Sequence, residues 1–132
     1  MRTKSVRILQ PKFTVSVVGL ITNENSEVLI LDHFFRPRYS WGLPGGFLNR
    51  DEKPEDGIRR EILEETGVEI EHLRLLNVRT VGTHIEILFR GETNGEARVS
   101  SGEIRGLGWF TLENLPEMSD VQIHFLTKVL RK

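Results

Sequence analysis

Three glutamates, Glu61, Glu64 and Glu65, stand at i, i+3 and i+4 within the stretch GFLNRDEKPEDGIRREILEETGV, residues 46–68. On a helix that spacing puts their carboxylates at neighbouring points of one surface. Carboxylates that close repel one another, and burying them unpaired is costly. A hard divalent cation removes the difficulty, because Mg²⁺ prefers oxygen ligands and keeps several of its waters. Arg60, next to the first of them, can hold a further glutamate, Glu52, through a charge-assisted fork. The set reads as a metal platform. A merely solvated face is the plainer reading of any three glutamates on a helix, since Asp and Glu are normally exposed.

The elements around these residues favour the platform. Pro54 suits the first turn of a helix, where its missing N–H costs nothing. Gly67 suits the position just past the end, where a left-handed residue closes the last turn. Between them residues 54–66 read as a helix, docked by Ile58 and Ile62 one turn apart. The wider pattern is stricter than three acids. Gly46, Glu52, Arg60, Glu61, Ile62, Glu64, Glu65, Gly67 and Val68 fit G-x5-E-x7-R-E-U-x-E-E-x-G-U at every fixed position, with U a bulky aliphatic residue. A chance match in a chain of this length falls below about one in a million.

That pattern resembles the Nudix box, and the chain looks like a Nudix hydrolase. Trp41-Gly42-Leu43-Pro44-Gly45-Gly46 is similar to the family's usual lead-in to the box. The resemblance implies an α/β fold, an α/β/α sandwich with a mixed β-sheet between helices and the box as loop–helix–loop. It implies cleavage of a nucleoside diphosphate linked to another group with Mg²⁺, or with Mn²⁺ in its place. By the same resemblance the Gly45 carbonyl joins Glu61, Glu64 and Glu65 as a metal ligand. Glu103, shortly before Trp109, resembles the late glutamate that completes the metal site or acts as base in many members. The general base therefore stays open among Glu61, Glu64 and Glu103. One departure is Gly57, where the family usually has Ala; a mid-helix Gly costs roughly 1 kcal/mol relative to Ala.

Composition bounds the rest. A chain of 132 residues is read as one domain over residues 1–132. A net charge of −1 gives no basic field for nucleic acid or membrane. The absence of cysteine excludes disulfides and thiolate metal sites and fits a reducing cytoplasm. Neither a signal peptide in residues 1–10 nor a run near the roughly twenty apolar residues of a membrane span is visible.

Along the chain, residues 1–10 read as a loose terminus or short edge strand. Lys12–Thr22 and Val28–Leu31 are expected to form a hairpin around Asn23–Ser26, its second strand buried on both faces. In HFFRPRYSW, residues 33–41, Phe34, Phe35 and Tyr39 could stack a base while Arg36 and Arg38 hold phosphates. The alternative is a surface loop covering the core edge. Trp41 is expected beside the box, and Pro44-Gly45-Gly46 as a loop bringing backbone to the metal. Glu69–Val81 and His84–Arg90 have strand character, with His84 a satisfied polar residue. The glycine-rich stretch 91–106 is a mobile loop or slack, and as a lid it would bring Glu103 to the site, with Glu92 and Glu96 as rivals. A strand Leu107–Thr111 follows, and then a helix capped by Ser119 and Gln122 that packs through Val121, Phe125 and Val129.

Two readings of function follow from different classes. The first is a Mg²⁺-dependent hydrolase of a nucleotide-type small molecule, and the second is a binding or sensor module that kept the fold and lost activity. Nucleoside triphosphates, nucleotide sugars such as ADP-ribose, and capped or triphosphorylated RNA ends are all open as substrates, as is a homodimer. Some family members that cleave ADP-ribose carry a proline about fifteen residues after the box, and here Gly82-Thr83-His84 has none.

Overall fold

The structure, a computed structural model, describes residues 9–36 and 38–131. Most of the expected terminal segment 1–10, and Pro37 of the aromatic loop, lie outside it. In order the elements are β1 (Thr14–Thr22), β2 (Val28–His33), β3 (Trp41–Gly42), β4 (Gly45–Phe47) and α1 (Pro54–Thr66). Then come β5 (Glu71–Val81), β6 (His84–Glu92), β7 (Ile104–Phe110), a 3-10 turn (Leu112–Asn114) and α2 (Asp120–Leu130).

The sheet is mixed and hinges on β1. β6 runs parallel to it from Thr14 opposite His84 to Thr22 opposite Glu92. The other edge of β1 is divided: β4 pairs antiparallel with Ser16–Val18, and β2 touches it only at Thr22 opposite Val28. The expected hairpin is therefore a fork. Beyond the Asn23 turn β2 leaves β1 to pair with β7 and β3, and residues 45–47 fill the gap as a strand where a loop was expected. Gly45 makes this fit, because a β-carbon there would fall on the Val17 carbonyl oxygen.

Alternation along the strands sends side chains to two layers. Val17, Ile21, Leu29, Leu31 and Phe89 meet Ile58 and Ile62 of α1, while Val18, Leu20, Val28, Ile30 and Leu88 meet Leu126 of α2. Full burial of Ile58 and of Ile62 contributes roughly 1.5–3 kcal/mol each, which fixes α1 to the sheet. The result is an α/β/α sandwich, and β2 is buried on both faces as expected.

The closing helix differs from the expected stripe. Leu126 is its fully buried residue, with Ile123, Phe125, Val129 and Leu130 around it, and Val121 is 54% exposed. Ser119 caps it, its Oγ accepting from the Gln122 N–H at 3.3 Å. The Gln122 side chain does not return to the cap; its Oε1 accepts from the Leu43 N–H at 3.1 Å. Trp41 packs in this α2 layer, edge-on to Phe110 at 5.7 Å, and not beside the box. Among the described residues no helix is long and apolar enough to cross a membrane.

Candidate active site

Helix α1 spans the residues expected of it. Pro54 opens it, Glu55 and Asp56 favour its positive end, and Gly67 at φ 75° returns its N–H to the Leu63 carbonyl. The stretch after β6 is not slack. Its Ser100 and Arg98 N–H groups donate to the carbonyls of Glu65 and Thr66, both at 3.0 Å, satisfying the end of α1. Gly57 also has a local reason: a β-carbon there would strike the Leu48 side chain, which packs over that point of the helix.

Arg60 organises the acids on one side of α1. Its Nε and Nη2 donate to the two Glu52 oxygens at 2.7 and 2.9 Å, and Nη2 also reaches the Phe47 carbonyl at 3.2 Å. Nη1 donates to Glu61 Oε1 at 2.9 Å and to Glu64 Oε1 at 3.2 Å. The Asn49 N–H adds a bond to Glu52 at 3.0 Å, and the Arg60 fork with this bond holds that carboxyl down to about 2. Glu52 thus ties the loop before α1 to the helix.

Beside this network lies a cleft of about 440 Å³, lined by His33, Phe35, Arg36, Gly45, Gly46, Phe47, Glu61, Glu65 and Glu103. Glu65 is 4% exposed, and its Oε1 has no hydrogen-bond partner. Burial, with Glu61 adding repulsion, pushes its carboxyl up to about 8, against opposing help from the Gly45 backbone and Arg36. Burial likewise raises Glu61, whose carboxylate lies where a side chain on Gly46 would collide with it. Glu103 contributes to both upward shifts.

These residues fit a hard divalent cation. An orphaned buried carboxylate oxygen, a second carboxylate beside it, a third facing them and a close glycine backbone supply oxygen donors and excess negative charge. As they stand, no three acidic or histidine side chains among the described residues converge on one point. Arg60 draws Glu61 and Glu64 toward itself, and Glu64, 58% exposed, is at the rim and not in the cleft lining.

Of the expected substrate residues, Arg36 and Phe35 line the cleft. Arg38 and Tyr39 line another, smaller cavity of about 230 Å³ with Trp41, Ser119, Gln122 and Arg36, which thus stands between the two, and Arg38 lies over the Tyr39 ring at 5.8 Å. Glu103 needs no lid movement to reach the site. Its carbonyl accepts from the Phe34 N–H at 3.0 Å and its N–H donates to Ser101 Oγ at 3.1 Å, just before β7. Its rivals are elsewhere: Glu92 pairs with His72 at 3.1 Å, and Glu96 is exposed outside the cleft lining. His84 is satisfied by Thr14 and Ser16 at 2.6 and 2.9 Å.

Two cleft residues escape a reading of the sequence. Phe47, 64% exposed, stands beside the box glycines, and its edge-on contact with His84 at 5.8 Å joins residues far apart in the chain. His33 ends the apolar run of β2 and becomes a buried imidazole, with Nδ1 near the Ser40 carbonyl at 3.2 Å and Nε2 without a partner. Burial, with Arg36 nearby, lowers it to about 4. The only prior signal was a polar residue directly after four aliphatic ones and an aspartate.

Comparison with known proteins agrees with this geometry. A family model described as the NUDIX domain matches residues 12–129. A MutT-like protein of Streptomyces ambofaciens is 33% identical over 109 residues, 81% of this chain and 70% of that protein. An ADP-ribose pyrophosphatase of Methanocaldococcus jannaschii is 31% identical over 111 residues, 80% of this chain and 66% of that protein. The crystal structure of a MutT NUDIX hydrolase from Burkholderia pseudomallei superposes with a TM-score of 0.78 at 28% identity, covering 90% of this chain and 99% of the other. With the carboxylate-bearing helix, its arginine fork and the cleft all in the expected places, the chain belongs to the NUDIX family and is a Nudix hydrolase.

Proposed function

We propose that the protein hydrolyses the pyrophosphate of a nucleoside diphosphate joined to a second group, with Mg²⁺ held by Glu61, Glu64, Glu65 and the Gly45 carbonyl. The observation that carries this is Glu65, a buried carboxylate with an orphaned oxygen, facing a cleft that Glu61 and Glu103 share. A divalent cation in that place supplies charge neutralisation at the phosphoryl oxygens and acidifies water.

The chain's own residues do the rest. Arg60, anchored by Glu52, holds Glu61 and Glu64 on one side of α1, where their carboxylates would serve as ligands. Arg36, reaching the cleft with its guanidinium bonded to the Leu43 carbonyl, holds a phosphate. Phe35 and Phe47, 84% and 64% exposed, offer ring faces at the cleft for a base. Glu103 receives the proton of the attacking water, because Glu61 is engaged by Arg60 and Glu65 is buried.

The cleft volume of about 440 Å³ is within the range of small-ligand sites, which supports a nucleotide-sized substrate. The relatives' names, MutT-like protein and ADP-ribose pyrophosphatase, favour nucleoside triphosphates and ADP-ribose as the first compounds to try. The test is incubation with Mg²⁺ and a panel of triphosphates, nucleotide sugars and capped dinucleotides, followed by assay for released mononucleotide. Release from at least one is the expected result. Tight binding across the panel without turnover would make the protein a sensor module instead.

A further inference from the structure

Helix α2 is joined to the cleft by a chain of polar contacts that its packing role does not require. Ser119 already caps the helix through the Gln122 N–H, so the Gln122 side chain is free for another partner. Its Oε1 accepts from the Leu43 N–H at 3.1 Å, and the carbonyl of the same residue accepts from Arg36 Nη2 at 3.3 Å. Leu43 itself is 1% exposed, so an unsatisfied N–H there is expensive.

Gly42 completes the arrangement. A β-carbon at that position would fall on Arg36 Nη1 and lie 3.1 Å from Gln122 Oε1, so both side chains close over the bare backbone. Arg36 is largely buried, and the carbonyl of Leu43 is its hydrogen-bond acceptor among the described residues. Glu65 and Glu86 attract it from nearby. A long, flexible cation in that position needs its anchor, since moving toward Glu65 would put it against a carboxylate meant for the metal.

From this geometry we infer that Gln122 is a positioning residue for substrate phosphate: by fixing the backbone of Leu43, it holds the Arg36 guanidinium at the cleft wall. The inference rests on the assignment of Arg36 to phosphate binding made above. Gln122 touches no substrate. It acts through the backbone of one residue, Leu43, whose N–H is held by Gln122 and whose carbonyl, on the next peptide unit, holds Arg36.

The experiment measures calorimetric affinity for methylenediphosphonate, a non-hydrolysable pyrophosphate, in the presence of Mg²⁺. Wild type is compared with Arg36→Gln, Gln122→Met, Gln122→Glu and the double variant Arg36→Gln/Gln122→Met, with urea midpoints taken for each. Gln122→Met should weaken binding roughly three- to tenfold, the size expected from one lost hydrogen bond. Gln122→Glu, which keeps an acceptor oxygen, should remain within about twofold of wild type. In the Arg36→Gln background Gln122→Met should change affinity no further, because a residue acting through Arg36 has nothing left to act on.

Three results would overturn the inference, each in a distinguishable way. If Arg36→Gln weakens binding and Gln122→Met does not, Arg36 holds phosphate without help from α2. If Arg36→Gln binds as wild type does, the phosphate assignment fails and the role of Gln122 falls with it. If Gln122→Glu is as weak as Gln122→Met, or the double variant is additive, Gln122 only packs.

Discussion

At the scale of single residues the site depends on which carboxylates are free. Among the described residues Glu103 has no arginine partner, whereas Glu61 is engaged by Arg60. Glu103→Gln should therefore lower kcat on the order of 10²-fold or more with little change in KM, the signature of an interaction made mainly at the transition state. Glu92→Gln and Glu96→Gln change net charge equally, and both should stay near wild type. Equal losses in all three variants would show a general electrostatic effect and leave the base within the box. His33 gives a second residue-scale prediction. Its folded value of about 4 lies below its unfolded value of 6.5, so the unfolded chain takes up the proton first. Its contribution to stability is complete above about pH 6.5 and is lost as pH falls toward about 4, on the order of 1–3 kcal/mol in all. Urea midpoints across that window should fall less steeply in His33→Gln; parallel curves would show that another group titrates. That Glu61, Glu64 and Glu65 share one helix, and that Arg60 reaches Glu52, was legible from the spacing and the box pattern. His33 was not, because its burial depends on the Ser40 loop folding back over the end of β2.

At the scale of elements, α1 was readable end to end because Pro54 and Gly67 mark its limits by backbone chemistry. The Gly57 interior was readable only as a cost. Leu48 packs where a β-carbon would go, so Gly57→Ala should destabilise by roughly 1–2 kcal/mol, against its helix propensity. In a Leu48→Ala background the same change should become neutral or stabilising. Urea unfolding of the four proteins reads the coupling, and a stabilising Gly57→Ala in the wild-type background would show that Leu48 moves aside freely. The fork between β1 and β2 escaped the sequence for a related reason. A turn such as Asn23–Ser26 specifies that the chain reverses, but which strands later compete for each edge is settled by β4 and β7, far along the chain. Helix α2 was placed correctly and Phe125 and Val129 pack on the core as expected, yet Leu126 and not Val121 takes the buried centre, since the two are equally apolar and only packing separates them.

For the whole molecule, the sandwich exists so that α1 is held rigidly above the β4 edge. Ile62→Ala should cost about 2–5 kcal/mol, because Ile62 is fully buried between the helix and the sheet. Fold class was legible from the order of strands and helices together with the box, since alternation decides that both sheet faces are covered. The site's dependence on a cation is the central claim, and one measurement tests it most directly. Mg²⁺ is titrated against both turnover of the best substrate and melting temperature, in wild type and in Glu65→Gln. Wild type should require Mg²⁺ for turnover and melt higher as Mg²⁺ is added, since a ion bound to the folded state stabilises it. Glu65→Gln, which removes the charge but keeps the shape, should lose turnover by several orders of magnitude and lose the Mg²⁺-dependent rise in melting temperature. Turnover by Glu65→Gln near the wild-type level at the same Mg²⁺ concentrations, with the same thermal shift, would contradict it.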